Sequence, residues 1–487
     1  MTAVLHQVVP DTSGTAPWYA RLVFLRERGM GASILVAAIS SAFGVLLLSA
    51  TGFIGAMIAQ DPYIGDSPLA LAVISILGII LLLVALYVAA VVTANTFSTI
   101  VAGRTRRIAL LRLIGATARS QRIEVARQGL VVGAIGAAIG LIAGIGIAAL
   151  GVAVAGRLVG AVEYDVAQAS LLVPPAIVAL TTWAAAWTGS RRVLTVTPLQ
   201  ALGGSVERQH DEFTRPARSV ASVVLIAGGA LLLGLGAMVG MANPLGIVPA
   251  FIGGLLSFTG LVIGSTAIMP PLLRLTGRLF GGSAVARLAS ENALRYPERS
   301  SRMAIGVVIG VTLVTMFAVA AETAQLVMIT SAEMSGYPQD RLVVLDQFAL
   351  VMMVLVGVSA VIAAVGLVNL LTIGVVQRRR ELGLLRALGL SNAQIRRMVL
   401  LEATHITLTA LLFGLVLGVA YGWAGAQSVL GSVPLSMGIP AFFVAPAVPW
   451  LTIGGVVLAA AVLTLVAAVT PTRLATRAVP VEALAAD

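Results

Sequence analysis

Long runs of apolar residues, broken by short polar stretches, recur from one end of the chain to the other. A helix needs about 20 apolar residues to cross a hydrocarbon core of about 30 Å. The runs near 33–57, 70–100, 128–156, 168–190, 217–241, 246–273, 303–329, 347–376, 402–430 and 446–470 meet that length. The pattern therefore predicts an all-α integral membrane protein of about ten transmembrane helices. Asn243 and Pro244 supply the break between the fifth and sixth. The first run carries no convincing small-residue cleavage site, so it reads as a retained helix and not as a removed signal.

Charge orients these helices, because short cytoplasmic loops collect basic residues. With the amino terminus inside, Arg21, Arg26, Arg28, the blocks 104–127, 191–218, 274–302 and 378–397, and Arg473 and Arg477 fall on one side, leaving only Arg157 and Arg341 outside. Asp61, Asp66, Glu163, Asp165, Glu333, Asp340 and Asp346 fall in the outer loops. The expected topology has both termini in the cytoplasm and the chain in a bacterial cytoplasmic membrane.

Composition agrees with lipid as the main solvent: 59% of residues are hydrophobic and 10% charged, against about 25% charged in soluble domains, and the mean hydropathy is +1.02. All 31 basic residues are arginine, and the net charge is +11. Because they sit in blocks between apolar runs, they mark topology and not a nucleic-acid surface. The absence of cysteine excludes disulfides, thiolate metal sites and a cysteine nucleophile. Without lysine the chain cannot supply a P-loop, and it has no H-E-x-x-H pattern. His6 and His210 stand in polar segments far from other ligand types. No catalytic residue, metal site or cofactor of the chain's own is expected.

Sliding the chain on itself by 274 residues aligns two stretches without a gap. Asn95 meets Asn369, Arg104 meets Arg378, Arg106 meets Arg380, Leu110-Leu111-Arg112 meets Leu384-Leu385-Arg386, Gly115 meets Gly389, Arg122 meets Arg396, and Gly140 and Gly144 meet Gly414 and Gly418. The copies also end alike, at 198–202 and 480–484, and begin alike, at 20–22 and 286–288. Each copy thus holds four spans, in parallel orientation. The expected division is a cytoplasmic segment 1–32, a first repeat 33–202, a linker 203–216, a two-helix insert 217–276, an interfacial helix 277–302 and a second repeat 303–487.

Within the repeat, Leu382, Leu385 and Leu388 fall at helical spacing, Gly389 can stop that helix, and Ser391 or Asn392 can cap the next. The first copy can do the same with Leu110, Leu111 and Ile114, then Gly115 and Thr117. Topology alone requires positive charge and not a preserved pattern. A paired cytoplasmic helix is what a membrane protein needs to dock two identical soluble subunits.

The run Arg378-Arg379-Arg380-Glu381-Leu382-Gly383-Leu384-Leu385-Arg386-Ala387-Leu388-Gly389 resembles the signature of FtsX-like permeases, the membrane subunits of the MacB, LolC and BceB class of ABC transporters. The likeness covers roughly 72–202 and 350–487. It implies that Arg104, Arg106, Leu110, Leu111, Arg112, Gly115 and Arg122, and Arg378, Arg380, Glu381, Leu385, Arg386, Gly389 and Arg396, couple the chain to two copies of a cytoplasmic ATPase that binds ATP and Mg. Two repeats in one chain resemble the ten-span BceB arrangement. The outer loops 59–68 and 330–346 leave no room for the large extracellular domain of those relatives. The first copy also departs from the pattern, with Arg107 and Ala109 where the second has Glu381 and Gly383.

The resulting expectation is a permease subunit that exports a lipophilic or amphipathic compound such as an antimicrobial peptide. One alternative is a mechanotransmitter serving an extracytoplasmic enzyme or a sensor kinase. Another is a proton-coupled secondary transporter using Glu322 or Glu402. Glu322, in the outer third of the seventh span, is the substrate-path candidate. Glu402 and His405, three apart at the inner end of the ninth span, read as structural, and Gly133, Gly136, Gly140 and Gly144 as a helix-packing stripe.

Overall fold

A computed structural model describes residues 30–59, scattered positions from 76 to 101, and then 105–159, 164–195, 216–279, 284–334, 389–440 and 443–477, apart from a few single positions within these ranges. The molecule is nearly all helical. Its helices are α1 (Met30–Ala59), α2 (Thr105–Leu113), α3 (Ala118–Val159), α4 (Val173–Gly189), α5 (Pro216–Val239), α6 (Ile247–Gly277), α7 (Ala284–Arg295), α8 (Pro297–Met334), α9 (Asn392–Leu430) and α10 (Trp450–Arg477). Seven of the described helices are long and apolar enough to cross a membrane, and they coincide with the predicted spans one, three to seven, and nine. Helix α10 runs over the tenth. The second span is described only at scattered positions, and the eighth lies outside the described residues. Strands β1 (Pro434–Ser436) and β2 (Ile439–Pro440) pair antiparallel in the link between α9 and α10.

Helices α3 and α9 show the duplication in three dimensions. They begin at Ala118 and Asn392, positions that the 274-residue offset superposes. Both start ten residues before the apolar run that predicted them. At 1.5 Å per residue this adds a polar stalk of about 15 Å at the amino-terminal end of each span. A polar segment can continue a membrane helix once it leaves the hydrocarbon, where water satisfies its side chains.

Each stalked helix packs on the first span of its own repeat through small residues. Apolar lipid tails compete with apolar side chains, so close backbone approach and hydrogen bonds carry much of such packing. Gly140 faces the Ala38 carbonyl and the Ser41 side chain of α1, and Gly144 faces Val45. Gly414 faces Val308 and Val311 of α8, and Gly418 faces Thr312 and Thr315. Pairing these contacts shifts α1 onto α8 by 270 residues, four fewer than between α3 and α9. A hydroxyl crosses the interface in both halves: Ser41 donates to the Ala137 carbonyl at 2.9 Å and Thr312 to that of Gly414 at 3.2 Å.

The α5–α6 hairpin turns at Asn243, whose side chain accepts from the Leu245 amide at 2.9 Å while Pro244 begins the next turn. Its helices pack against each other and then on α9. The apolar window of α8 is 78% buried and that of α5 only 22%, so α8 is central and α5 faces lipid. Where α9 ends, residues 443–449 are pinned over α8 and α9. The Trp423 indole donates to the Val444 carbonyl at 2.8 Å, the Val444 amide donates to Gln427 at 2.7 Å, and the Ala447 amide donates to Thr323 at 3.0 Å. These bonds pair the polar groups of Trp423, Gln427 and Thr323 with the backbone of the link.

Candidate functional site

Helix α2 is held to the bundle by Ile108 and Ala109, which are buried in a cluster with Met30, Phe97, Val101, Val125, Ala186 and Val193. The chain leaves the rest of its apolar surface uncovered: Leu110 and Leu113 are each 49% exposed and Ile114, at the tip, 82%. Leu111 and Arg112 are half-buried. The apolar positions of this segment therefore divide in two, one set anchoring the helix and the other projecting from the protein. The spacing of leucines alone does not separate these sets.

The helix ends in a Schellman motif. The Ala116 amide donates to the Leu111 carbonyl at 2.9 Å and the Gly115 amide to that of Arg112 at 3.2 Å. This geometry needs a left-handed residue at its centre, which Gly115 supplies with φ of 103°. Thr117 then opens the stalk of α3, its hydroxyl accepting from the Ser120 amide at 3.1 Å. In the second copy Gly389 has φ of 97°. Ser391 caps α9 in a reciprocal box, its hydroxyl accepting from the Gln394 amide at 3.3 Å while the Gln394 side chain accepts from the Ser391 amide at 2.9 Å. Two turns 274 residues apart thus share a left-handed glycine and a hydroxyl cap on the helix that follows. Replacing Ser391 with alanine is expected to cost about 1 kcal/mol at this end. Amide exchange over the first turn of α9 should then be about fivefold less protected, with the membrane-embedded turns unchanged.

Of the other coupling candidates, Arg106 lies on α2, with its side chain outside the described residues. Arg104, Arg378, Arg380, Glu381, Leu385 and Arg386 lie wholly outside them. Arg122 turns inward: its guanidinium sits 4.0 Å from the Trp187 ring centroid and donates to the Trp187 carbonyl at 3.2 Å. It staples the α3 stalk to the end of α4, a favourable place for a cation against a helix C-terminus. Its counterpart Arg396 is exposed on α9. The partner of Arg122 is 65 residues away, and nothing in the local pattern announces it.

The α9 stalk is backed by α7, whose Ala289 is buried with Ile395, Met398 and Val399. Just below, Asn292 of α7 donates to the Glu402 carboxylate at 2.9 Å. His405 Nε2 lies 2.9 Å from the Leu273 carbonyl and 3.1 Å from the Thr276 hydroxyl of α6. Glu402 and His405 are 5% and 1% exposed, so both are built into the packing of α6, α7 and α9. Glu322 is exposed on α8. Among the described residues, no cluster of three or more His, Asp or Glu could hold a metal ion.

The profile of the FtsX-like permease C-terminal family matches this chain twice, at residues 79–198 and 353–480. Each match contains one of the two turns. The ABC transporter permease YtrF of Bacillus subtilis is 35% identical over 66 residues, which is 13% of this chain and 15% of that one. The uncharacterized ABC transporter permease YknZ of the same organism is 27% identical over 128 residues, 26% of this chain and 29% of that one. The macrolide export ATP-binding/permease protein MacB of Rhodopirellula baltica is 32% identical over 85 residues, 16% of this chain and 12% of that one. The matched regions span less than a third of each of these relatives. The two profile matches cover half of the sequence, and the chain is a multi-pass membrane protein belonging to the FtsX-like permease family.

Proposed function

We propose that this chain is the permease subunit of an ABC transporter, with ATP hydrolysis supplied by two copies of a cytoplasmic ATPase that bind ATP and Mg. The observation that carries this reading is the duplicated turn: left-handed Gly115 and Gly389, each followed by a capped, stalked helix. Uncovered Leu110, Leu113 and Ile114 beside Arg112 form an apolar and cationic surface for one ATPase. The segment 378–397 is assigned the same role for the second. Both termini then lie inside, and the chain divides into two four-span repeats around the two-helix insert 217–276.

The cargo we propose is a lipophilic or amphipathic compound, such as an antimicrobial peptide, taken from the membrane. Supporting this is the lack of room for an outer receptor domain in the loops 59–68 and 330–346. Membranes holding the chain and its ATPase should show ATP-dependent efflux of at least one amphipathic compound. Cells carrying both should resist that compound. No efflux and no resistance across a panel of cationic peptides and lipophilic antibiotics would remove the export assignment.

A further inference from the structure

Midway along α6 the triplet Ser257-Phe258-Thr259 is gripped from both sides. The Phe258 ring makes edge contacts with Tyr87 and Tyr421, both at 6.2 Å between centroids. The Tyr87 hydroxyl pairs with Thr259 at 2.8 Å, and the Tyr421 hydroxyl pairs with Ser257 at 2.9 Å. Tyr87 belongs to the second span of the first repeat and Tyr421 to α9 of the second. One triplet of the insert thus joins the two repeats.

The two grips are not equivalent. Helix α6 is tied to α9 at three levels: by Thr276 against Thr409 at 2.6 Å near the inner end, by Ser257 against Tyr421 in the middle, and through the α5–α6 turn, where Gly240 packs on Gln427 and Ser428. The insert therefore moves with the second repeat, while the first repeat meets it in an apolar cluster with Val36, Phe43 and Leu47, where Tyr87 adds the hydroxyl pair to Thr259. The joint is also absent from the duplicated pattern. Under the 274-residue offset Tyr421 falls on Ile147, which is 53% exposed, and Tyr87 falls on Val361.

We propose that the Tyr87–Phe258–Thr259 contact is a fixed pivot about which the two repeats move, a proposal that takes its purpose from the permease function above. Apolar contacts between membrane helices slide at little cost, because lipid tails or other side chains replace them. A separated hydroxyl pair finds no water in the hydrocarbon. Motion between the repeats then concentrates away from this contact, at the cytoplasmic stalks where ATPases would push. With one insert for two repeats, the device is asymmetric.

Because the chain has no cysteine, pairs of spin labels can be placed on it without background. One pair, on L83C and I252C, flanks the joint at positions 42% and 46% exposed. The other, on I123C and R397C, marks equivalent exposed positions on the two stalks. In the lipid-embedded chain alone, the stalk pair should give a distance distribution about twofold broader than the joint pair. Y87A should broaden the joint pair to match the stalks, and Y87F, which keeps the ring, should fall between. A joint pair as broad as the stalk pair, or one indifferent to Y87A, would overturn the pivot. Adding ATPase and ATP should shift the stalk pair and leave the joint pair in place; joint and stalk shifting together also overturns it. A narrow joint pair with stalks that ignore the ATPase would uphold the pivot and count against the ATPase-coupled function.

Discussion

Leucine in place of Gly140 is expected to prevent assembly of the first repeat. A Cβ there would press on the Ala38 carbonyl and lie 2.5 Å from the Ser41 Cβ and 2.8 Å from the Ala42 amide nitrogen. Two of these neighbours are backbone, so relief requires α1 and α3 to separate. Overpacking of this kind costs on the order of 3 kcal/mol or more, a large part of a typical domain's stability. It would also pull apart the Ser41 to Ala137 hydrogen bond. Gly418→Leu should act alike on the second repeat, where its Cβ would lie 2.5 Å from that of Thr315. Gly146→Leu and Gly425→Leu are the controls, since nothing lies within 4 Å of a Cβ at either position. The yield of monodisperse protein in detergent measures all four, and losses at the controls equal to those at Gly140 and Gly418 would contradict the packing described.

Reversing charge at both coupling segments should weaken ATPase binding without harming the membrane domain. Arg112 lies in the last turn of α2, two residues before the exposed tip at Ile114. Glutamate there would place a like charge against any acidic patch that receives the helix. Breaking a charge pair at an interface typically costs 2–5 kcal/mol, so Arg112→Glu with Arg386→Glu should reduce affinity at least about 30-fold. Helix termini complicate the interpretation, because a cation in a last turn also favours the helix by a few tenths of a kcal/mol. Arg112→Gln separates the effects: it removes the charge without adding the opposite one, and should weaken binding by an intermediate amount. Unchanged affinity in the double reversal would show that these arginines serve topology alone.

How much of this could be read from the sequence depends on the range of the interaction. Spans are legible because hydrocarbon demands an apolar run of fixed length, and the runs beginning near 33, 128 and 402 lie inside α1, α3 and α9. The stalks escape hydropathy, being polar, yet their starts are visible in another signal: a left-handed glycine followed by a capping hydroxyl. Ser391 caps α9 as its position suggested. Contacts between distant residues are not legible. Arg122 reads as one more coupling arginine until Trp187 is brought beneath it. Glu402 and His405 read as structural, but their partners, Asn292 and Leu273, come from other helices and are not visible in the local pattern. The short β1–β2 ladder within 434–440 was likewise not anticipated among helices. The positions of Arg104 and of 378–388 lie outside the described residues, so the second coupling helix rests on its repeat with α2.

Native mass spectrometry of the complex purified with its ATPase asks whether one chain presents two docking segments to two ATPase subunits. The expected mass is one permease chain with two ATPases, falling to one ATPase in either single reversal, Arg112→Glu or Arg386→Glu, and to none in the double. A complex that keeps two ATPases in the double reversal, or a wild-type chain that binds none, would contradict it.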